Sequence, residues 1–349
     1  MRTVLIAVLG TLGVGFLVAL GPWADAWRLQ VHTPLAAGVG SLASLVPGSA
    51  FAWGAAAVLL LAFREVFPGR RGRLERLSRV GLLALTVLAT GILGFGALHG
   101  APTHSERLSA ARRMGVDQGS LEDLELALRL AVEGLLQEGV HREPIVDDEL
   151  AGLLAGAFRR LVPEAPWLAG PETAPVRSLP RGLLAALGLS GFYSPWTGEP
   201  HVEAGLPRVS VLAVAAHEWA HMRGEAREDE ASFVGWQALA GAPDPRARLS
   251  GHFELLRQVW RELGRVRPGS LEAALSAASP ELLALEASVA AWWRSARTPA
   301  AGLARASNDL YLRAAGDARG VESYAGVVGL VLRDDWPRRI RREPLSSPR

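Results

Sequence analysis

The sequence contains no cysteine. Without cysteine the protein can form no disulfide bond, and any transition metal would have to be bound by histidine and carboxylate side chains. Lysine is also absent, so every basic residue is an arginine. The arginines are scattered and the formal net charge is only +2, so no basic stripe interleaved with aromatic residues is present. We therefore expect no nucleic-acid partner.

Hydrophobic residues make up 49% of the 349 residues and are concentrated in the first hundred positions. Three stretches there are long and nearly free of charge, namely 4–20, 46–63 and 80–98. An apolar helix of about 20 residues can cross the hydrocarbon core of a bilayer. The sequence thus predicts a membrane domain over residues 1–99 with three transmembrane helices in a lipid bilayer, followed by a second domain over residues 100–349.

The arginines set the predicted orientation of this membrane domain. Six of them lie between Arg64 and Arg79, whereas the segment 22–45 contains only Arg28. Positively charged loops tend to stay in the cytoplasm. We therefore expect an integral protein of the bacterial inner or plasma membrane, with a cytoplasmic N-terminus and an extracytoplasmic second domain. A cleaved signal peptide is the alternative for the first stretch, since Ala24-Asp25-Ala26 resembles a cleavage site.

Residues 100–349 are predicted to be mainly helical, because leucines recur at three- and four-residue spacing. The predicted helices cover 120–137, 147–161, 249–263, 271–294, 299–315 and 321–332. The segment 190–211 differs, since glycines and prolines alternate there with aromatic and β-branched residues. That composition is typical of turns and strands and predicts a short β-hairpin.

The segment 210–223 contains a motif that is typical of a catalytic metal site. Its alanines and leucine favour a helix, on which His217 and His221 project from the same face one turn apart. Two imidazoles at that spacing can share a zinc ion, and Glu218 can reach a water bound to the metal. The motif predicts Zn²⁺ as cofactor, with both histidines as ligands and Glu218 as catalytic general base.

A third ligand is expected in the acidic cluster that follows Gly224. Glu228 and Glu230 are two residues apart and point to different faces of a helix, so only one of them is expected to bind the metal. The residues by themselves leave both open. The alternative is that these acids only stabilise the start of a helix, where negative charge is favoured anyway.

The region from His217 to Phe233 resembles the DUF3810 family of bacterial membrane proteins, whose pattern is His-Glu-x-x-His-x-x-Gly followed by Glu-x-Glu-Ala-Asn-Phe. The blocks 191–199 and 308–324 share the resemblance. It implies a gluzincin-like metallopeptidase with a helical, zincin-like domain. A more distant similarity to membrane peptidases with a Glu-x-x-Ala-Asp or Glu-x-x-Ala-Asn motif places the third ligand at Glu228, with Glu230 as alternative. Ser232, at the position of the family's Asn, would then orient a ligating histidine.

Together these features predict a membrane-anchored zinc peptidase that hydrolyses a peptide or protein substrate with a zinc-activated water and Glu218 as general base. The oxyanion of the reaction needs a donor besides the metal, and Tyr311, Tyr324, Tyr193 and His252 are candidates by residue type. The alternative is a non-catalytic zinc-binding membrane sensor or assembly factor. The presence of Glu218 favours the enzyme, because a structural zinc site needs no base.

Overall fold

In the computed structural model, the described residues are 23–43, 45, 49–66, 75, 78–83, 86, 95–111, 115, 119–142, 145, 147–170, 176–296, 298–314, 319–320 and 326–341. The chain divides into two compact units. The first contains the described residues up to Ala101 together with Ser194–Glu199. The second contains Pro102–Tyr193 and the chain from Pro200 onward.

The first unit is helical in its described part. Its elements are α1 (Trp23–Trp27), a π-helical turn (Arg28–His32), α2 (Thr33–Ala43), α3 (Ala50–Val66) and a 3₁₀ turn (Gly96–Gly100). The buried Glu199 carboxylate accepts hydrogen bonds from the backbone N–H groups of Ala50, at 3.1 Å, and Phe51, at 2.9 Å. The first N–H groups of a helix have no partner within it, so Glu199 caps the start of α3.

The structure corrects the predicted membrane domain. Helix α3 overlaps the span predicted over 46–63, but it has 17 residues and its sequence ends in Arg64-Glu65-Val66. Its uncharged part is therefore shorter than the about 20 residues that a bilayer requires. The span predicted over 4–20 lies outside the described residues, as does most of 80–98.

Within the described ranges, no helix combines the length and the apolar character that crossing a membrane requires. This finding overturns the prediction of three transmembrane helices. It also overturns the predicted localisation, an integral membrane protein with a cytoplasmic N-terminus and an extracytoplasmic second domain. The prediction failed because a hydropathy pattern does not show where a helix begins and which charges it includes.

The second unit is mainly helical, as the leucine spacing predicted. Its helices are α4 (His104–Ala110), α5 (Leu121–Gln137), α6 (Asp147–Leu161), α7 (Arg208–Met222), α8 (Glu228–Ala240), α9 (Pro245–Val266), α10 (Pro268–Ala277), α11 (Pro280–Ser295), α12 (Pro299–Ala314), α13 (Val327–Arg333) and α14 (Trp336–Ile340). Short 3₁₀ turns lie at Val140–Arg142, Pro166–Leu168 and Ala185–Leu187.

Local sequence explains several of these helix ends. At the start of α5, Ser120 and Asp123 form a capping box in which each side chain accepts a hydrogen bond from the other residue's backbone N–H. The helix predicted over 271–294 is instead two helices, α10 and α11. Ser279 caps the second of them and Pro280 occupies its first turn, where a missing N–H is tolerated.

Three short strands form a sheet next to the motif helix. They are β1 (Arg177–Leu179), β2 (Gly191–Ser194) and β3 (Glu199–Glu203), in the order β1-β3-β2. Strand β1 is parallel to β3, with Ser178 opposite Val202. The predicted hairpin corresponds to β2 and β3, whose connecting turn contains Gly198 at a φ of +64°. Because α7 begins shortly after β3 ends, the sheet leads directly into the metal motif.

The hydrophobic core of the second unit lies among α5, α8, α9 and α13. Helix α9 faces it with an apolar stripe at three- and four-residue spacing, and the stripe consists of Leu249, Phe253, Leu256, Trp260 and Leu263. Helix α8 approaches α7 closely at Gly235, where a Cβ atom would lie 3.2 Å from the backbone nitrogen of His217. The glycine therefore allows α8 to pack directly against the motif.

Candidate metal centre

The turn after α7 determines where the acidic cluster lies. Gly224 has a φ of +88°, a conformation that glycine adopts far more readily than other residues. Its N–H donates to the carbonyl of His221 at 2.9 Å, and the N–H of Glu225 donates to the carbonyl of Ala220 at 3.0 Å. These bonds satisfy carbonyls at the end of the helix and turn the chain back, so that α8 begins at Glu228.

Three ligand atoms converge at the start of α8. The Nε2 atoms of His217 and His221 are 3.0 Å apart. One carboxylate oxygen of Glu228 lies 3.0 Å from the first and 3.3 Å from the second. Neighbouring ligands of a tetrahedral zinc ion, with bonds of 2.0–2.1 Å, are separated by about 3.3 Å. The three residues therefore fit a zinc ion in both ligand type and spacing.

In each of the two imidazoles, the Nδ1 atom makes a contact with a group outside the cluster. Nδ1 of His221 lies 2.6 Å from the carbonyl oxygen of Glu225. A carbonyl only accepts, so Nδ1 carries a proton, and Nε2 is the ring nitrogen that would bind a metal. Nδ1 of His217 lies 3.1 Å from the hydroxyl oxygen of Ser232. Ser232 thus contacts one of the predicted ligands, and such contacts fix the orientation of a ligating ring.

The charges of the cluster favour a cation at its centre. Burial disfavours protonation of His221, but the Glu228 carboxylate outweighs burial and raises the pKa of His221 to about 9. Burial also opposes ionisation of Glu228, yet the two imidazoles lower the pKa of Glu228 well below its usual value. Glu228 is therefore ionised, and its carboxylate lies next to the Nε2 atoms of both histidines.

Glu218 lies beside the cluster on α7 and is 5% exposed. Burial raises the pKa of Glu218, although the neighbouring histidines oppose the shift. A raised pKa suits a carboxylate that takes up and releases a proton near neutral pH. A Cβ atom at Gly191 would lie 3.0 Å from a carboxylate oxygen of Glu218 and 2.7 Å from the carbonyl oxygen of His201. Glycine at this position of β2 leaves room for the Glu218 carboxylate.

Of the two candidate third ligands, the structure brings Glu228 to the histidines. The Glu230 carboxylate instead accepts hydrogen bonds from the backbone N–H of Ser105, at 3.0 Å, and from its hydroxyl. Burial and the carboxylate of Glu225 raise the pKa of Glu230 to about 7. The two residues therefore point to different faces of α8, as their spacing predicted.

One family pattern covers most of the chain. The sequence model of that family, described as a protein of unknown function (DUF3810), matches residues 29–332. The chain belongs to the DUF3810 family. This confirms the predicted resemblance, and the description of the family assigns no activity. Comparisons with curated proteins and with solved structures each found no match.

Among the described side chains, neither His252 nor Tyr193 lines the cavity at Glu218 of this DUF3810 protein. His252 is buried in α9 and does not line the cavity at Glu218. Tyr193 is buried in β2, and burial raises its pKa. Tyr311 belongs to α12, but its side chain lies outside the described part, as does all of Tyr324. The role of oxyanion donor therefore stays a prediction.

A cavity of about 230 Å³ lies beside His217 and Glu218 in the DUF3810 protein. Its walls come from α7, α8, α9, α13 and the chain at the start of β2, and include Leu189, Val214, Trp236, Leu239, Leu255 and Val327. The sequence motif did not reveal this cavity, because its lining residues come from five separate elements. The metal ligands, in contrast, lie within one short segment.

Proposed function

We propose that this DUF3810 protein is a zinc-dependent peptidase. The observation that carries the proposal is the convergence of His217, His221 and Glu228 at 3.0–3.3 Å beside the buried carboxylate of Glu218. Three protein ligands leave the fourth position of a tetrahedral zinc ion for water, as in catalytic sites. A site that only stabilises the fold usually has four protein ligands and needs no adjacent base.

In this mechanism His217, His221 and Glu228 hold the ion. The ion, when bound, would supply the Lewis acidity that activates a water and polarises the substrate carbonyl. Glu218 takes the proton of the attacking water on its carboxylate and passes it to the leaving amine. Ser232 and the carbonyl of Glu225 keep the two imidazoles in place during both steps.

The proposed substrate is a peptide or protein segment. Strand β2 lies at one edge of the three-stranded sheet, and an edge strand can pair with the main chain of an extended peptide. Gly191, the first residue of β2, lies next to Glu218. A peptide paired with β2 would therefore have its backbone close to the proposed general base.

The replacement Glu218→Gln tests the proposal. Glutamine preserves the shape of the side chain but cannot take up the proton, so zinc content should stay at one ion per chain while peptide cleavage falls about 1,000-fold. Metal content by plasma emission spectrometry and cleavage of a peptide library by mass spectrometry measure the two effects. Cleavage by the variant at the wild-type rate would contradict the mechanism.

Glu262→Gln is the matched control, because Glu262 lies on α9 and pairs with Arg265 at the surface. This variant should cleave at the wild-type rate. A wild-type protein that binds one zinc ion but cleaves no peptide would instead favour the non-catalytic zinc-binding protein. A wild-type protein without stoichiometric zinc would exclude both functions.

A further inference from the structure

The cavity beside Glu218 indicates which substrates the site would take. We propose that it receives one bulky, uncharged side chain of a peptide, next to the bond that is cleaved; this inference rests on the peptidase function proposed above. The position of the cavity is the first argument. His217 and Glu218 both belong to its wall, so an occupant lies directly beside the proposed metal ligand and base.

The size of the cavity fits one large side chain. Its volume is about 230 Å³, whereas a cavity of about 150 Å³ lined by apolar side chains is enough to hold benzene. A leucine, methionine or phenylalanine side chain can therefore enter. A methyl group would leave most of the space unfilled and lose the contacts that a larger side chain makes.

The lining disfavours charged side chains. Leu189, Val214, Leu239, Leu255 and Val327 form apolar walls, and a charge buried against such walls is strongly destabilised unless it finds a partner. Away from the metal cluster, the charged residue of the described lining is Glu254. Its carboxylate is already paired with Arg257 at 3.1 Å. An acidic side chain would therefore be repelled, and a basic one would have to compete with Arg257.

Trp236 adds an aromatic ring to the lining of the cavity. It is 4% exposed. Trp236 follows Ser232 by one helical turn and so lies on the same face of α8. A large apolar side chain of a bound peptide can therefore pack against this ring as well as against the aliphatic walls.

The test measures binding as well as cleavage. Zinc-loaded full-length Glu218→Gln protein is titrated with fluorescent peptides of constant sequence, in which one position at a time is Phe, Leu, Ala, Glu or Arg. At one position, Phe and Leu should bind at least about 10-fold more tightly than Ala, as expected for burying a large apolar side chain. Glu and Arg should bind no better than Ala there.

Variants of the lining shift this preference in opposite directions. Ala213→Leu partly fills the cavity and should reduce the advantage of Phe over Ala at least about 5-fold, whereas Leu189→Ala enlarges it and should favour Phe over Leu. Ala273→Leu, at an exposed position of α10, is the control and should change nothing.

The outcomes separate this inference from the proposed function. Cleavage by the wild-type protein without a preference at any position would overturn the inference and leave the peptidase function standing. Selective binding by Glu218→Gln without cleavage by the wild-type protein would support the cavity as a peptide site and overturn the peptidase function. If Ala213→Leu does not fold, the half-exposed Leu189→Ala decides, and an unchanged preference there would overturn the inference.

Discussion

Helix α8 contributes to two clusters that use histidine differently. One is the metal cluster, formed by His217, His221 and Glu228. The other we call the His104 network, and it consists of Trp167, His104, Gln237, Asp334 and Arg339. Glu228 and Gln237 are nine residues apart, which at 100° per residue places them on opposite faces of α8. The same helix thus supports both clusters, one on each side.

In the His104 network every donor meets an acceptor. The indole N–H of Trp167 donates to Nδ1 of His104 at 3.1 Å, so the ring proton is on Nε2, which donates to the Gln237 side-chain oxygen at 2.6 Å. The Gln237 amide then donates to Asp334 at 3.0 Å, and Arg339 also donates to Asp334. The network is complete as it stands, and a buried network of this kind stabilises one arrangement of the core.

The metal cluster shows the opposite arrangement. The Nδ1 proton of His221 points outward to the Glu225 carbonyl, so Nε2 faces the Glu228 carboxylate and the other imidazole. Three electron-rich atoms at this spacing are stable only with a positive charge among them, whether protons or a metal ion. The partners of the ring nitrogens, more than burial, therefore distinguish a structural histidine from one suited to bind a cation.

We expect the largest change, a loss of zinc affinity, when a proposed ligand of the metal cluster is removed. Structural zinc sites bind with about 10–16 kcal/mol, shared by about four ligands, so His221→Ala should lower zinc affinity about 100- to 1,000-fold. Competition with a chromophoric chelator measures the affinity, and circular dichroism should show unchanged helix content. Zinc affinity equal to that of the wild-type protein would contradict the ligand assignment.

For the His104 network we expect the opposite result, a loss of stability without a loss of zinc affinity. His104→Ala leaves the Trp167 N–H and the Gln237 oxygen without their partner, so it should lower the free energy of unfolding by about 3 kcal/mol. Urea denaturation measures the loss. Zinc affinity should not change, because no atom of His104 belongs to the metal cluster. If His104→Ala lost zinc but kept its stability, the assignment of a purely structural role to His104 would be wrong.

The third prediction tests whether Ser232 positions the ring of His217. Ser232→Ala removes the hydroxyl that contacts Nδ1 of His217, and loss of such a contact to a ligating histidine typically weakens metal binding about 10–100-fold. The chelator competition used for His221→Ala measures it. Ser288→Ala is a suitable control, since that hydroxyl bonds to its own exposed helix. Equal affinities in both serine variants would mean that Ser232 does not position the ring.

The smallest effect concerns a third buried histidine, His252. Burial, with a smaller effect of Arg248, lowers the pKa of His252 to about 4, whereas a histidine in the unfolded chain titrates near 6.5. Between these values the unfolded state binds a proton that the folded state does not, so stability falls as the pH falls. From pH 7.5 to 5.5 His252 should account for a loss of about 1 kcal/mol.

His252→Phe should remove this part of the pH dependence. Urea titrations of the wild-type protein and the variant at pH 7.5 and 5.5 measure the difference directly. Other groups titrate in the same range, so the comparison between the two proteins carries the result. If both lose the same stability, His252 is not held neutral by the fold.

The features that could be predicted from the sequence are those that depend on residues close to one another in the chain. Helical spacing was enough to predict that His217 and His221 face one point, and the helix predicted over 120–137 agrees with α5 (Leu121–Gln137). The choice of Glu228 over Glu230 needed the more distant similarity to membrane peptidases with a Glu-x-x-Ala-Asp or Glu-x-x-Ala-Asn motif, because spacing alone shows only that the two side chains point to different faces of the helix.

Other features depend on residues that are distant in the chain. Strand β1 has only three residues, too few for a periodic pattern, and is defined by its pairing with β3. The contact of Glu230 with Ser105 joins residues 125 positions apart. The cavity at Glu218 likewise combines side chains from five elements. Sequence reasoning has no local signal for such contacts.

The short segment that holds the metal cluster has a consequence for how the protein folds. His217 and Glu228 are 11 positions apart, whereas His104 and Gln237 are 133 positions apart. Closing the longer loop costs about 2 kcal/mol more in chain entropy. During synthesis from the N-terminus, α7 and α8 are also complete before Asp334 has been added. We therefore expect the metal-binding helix pair to form early, and the His104 network to form only in the last stage of folding.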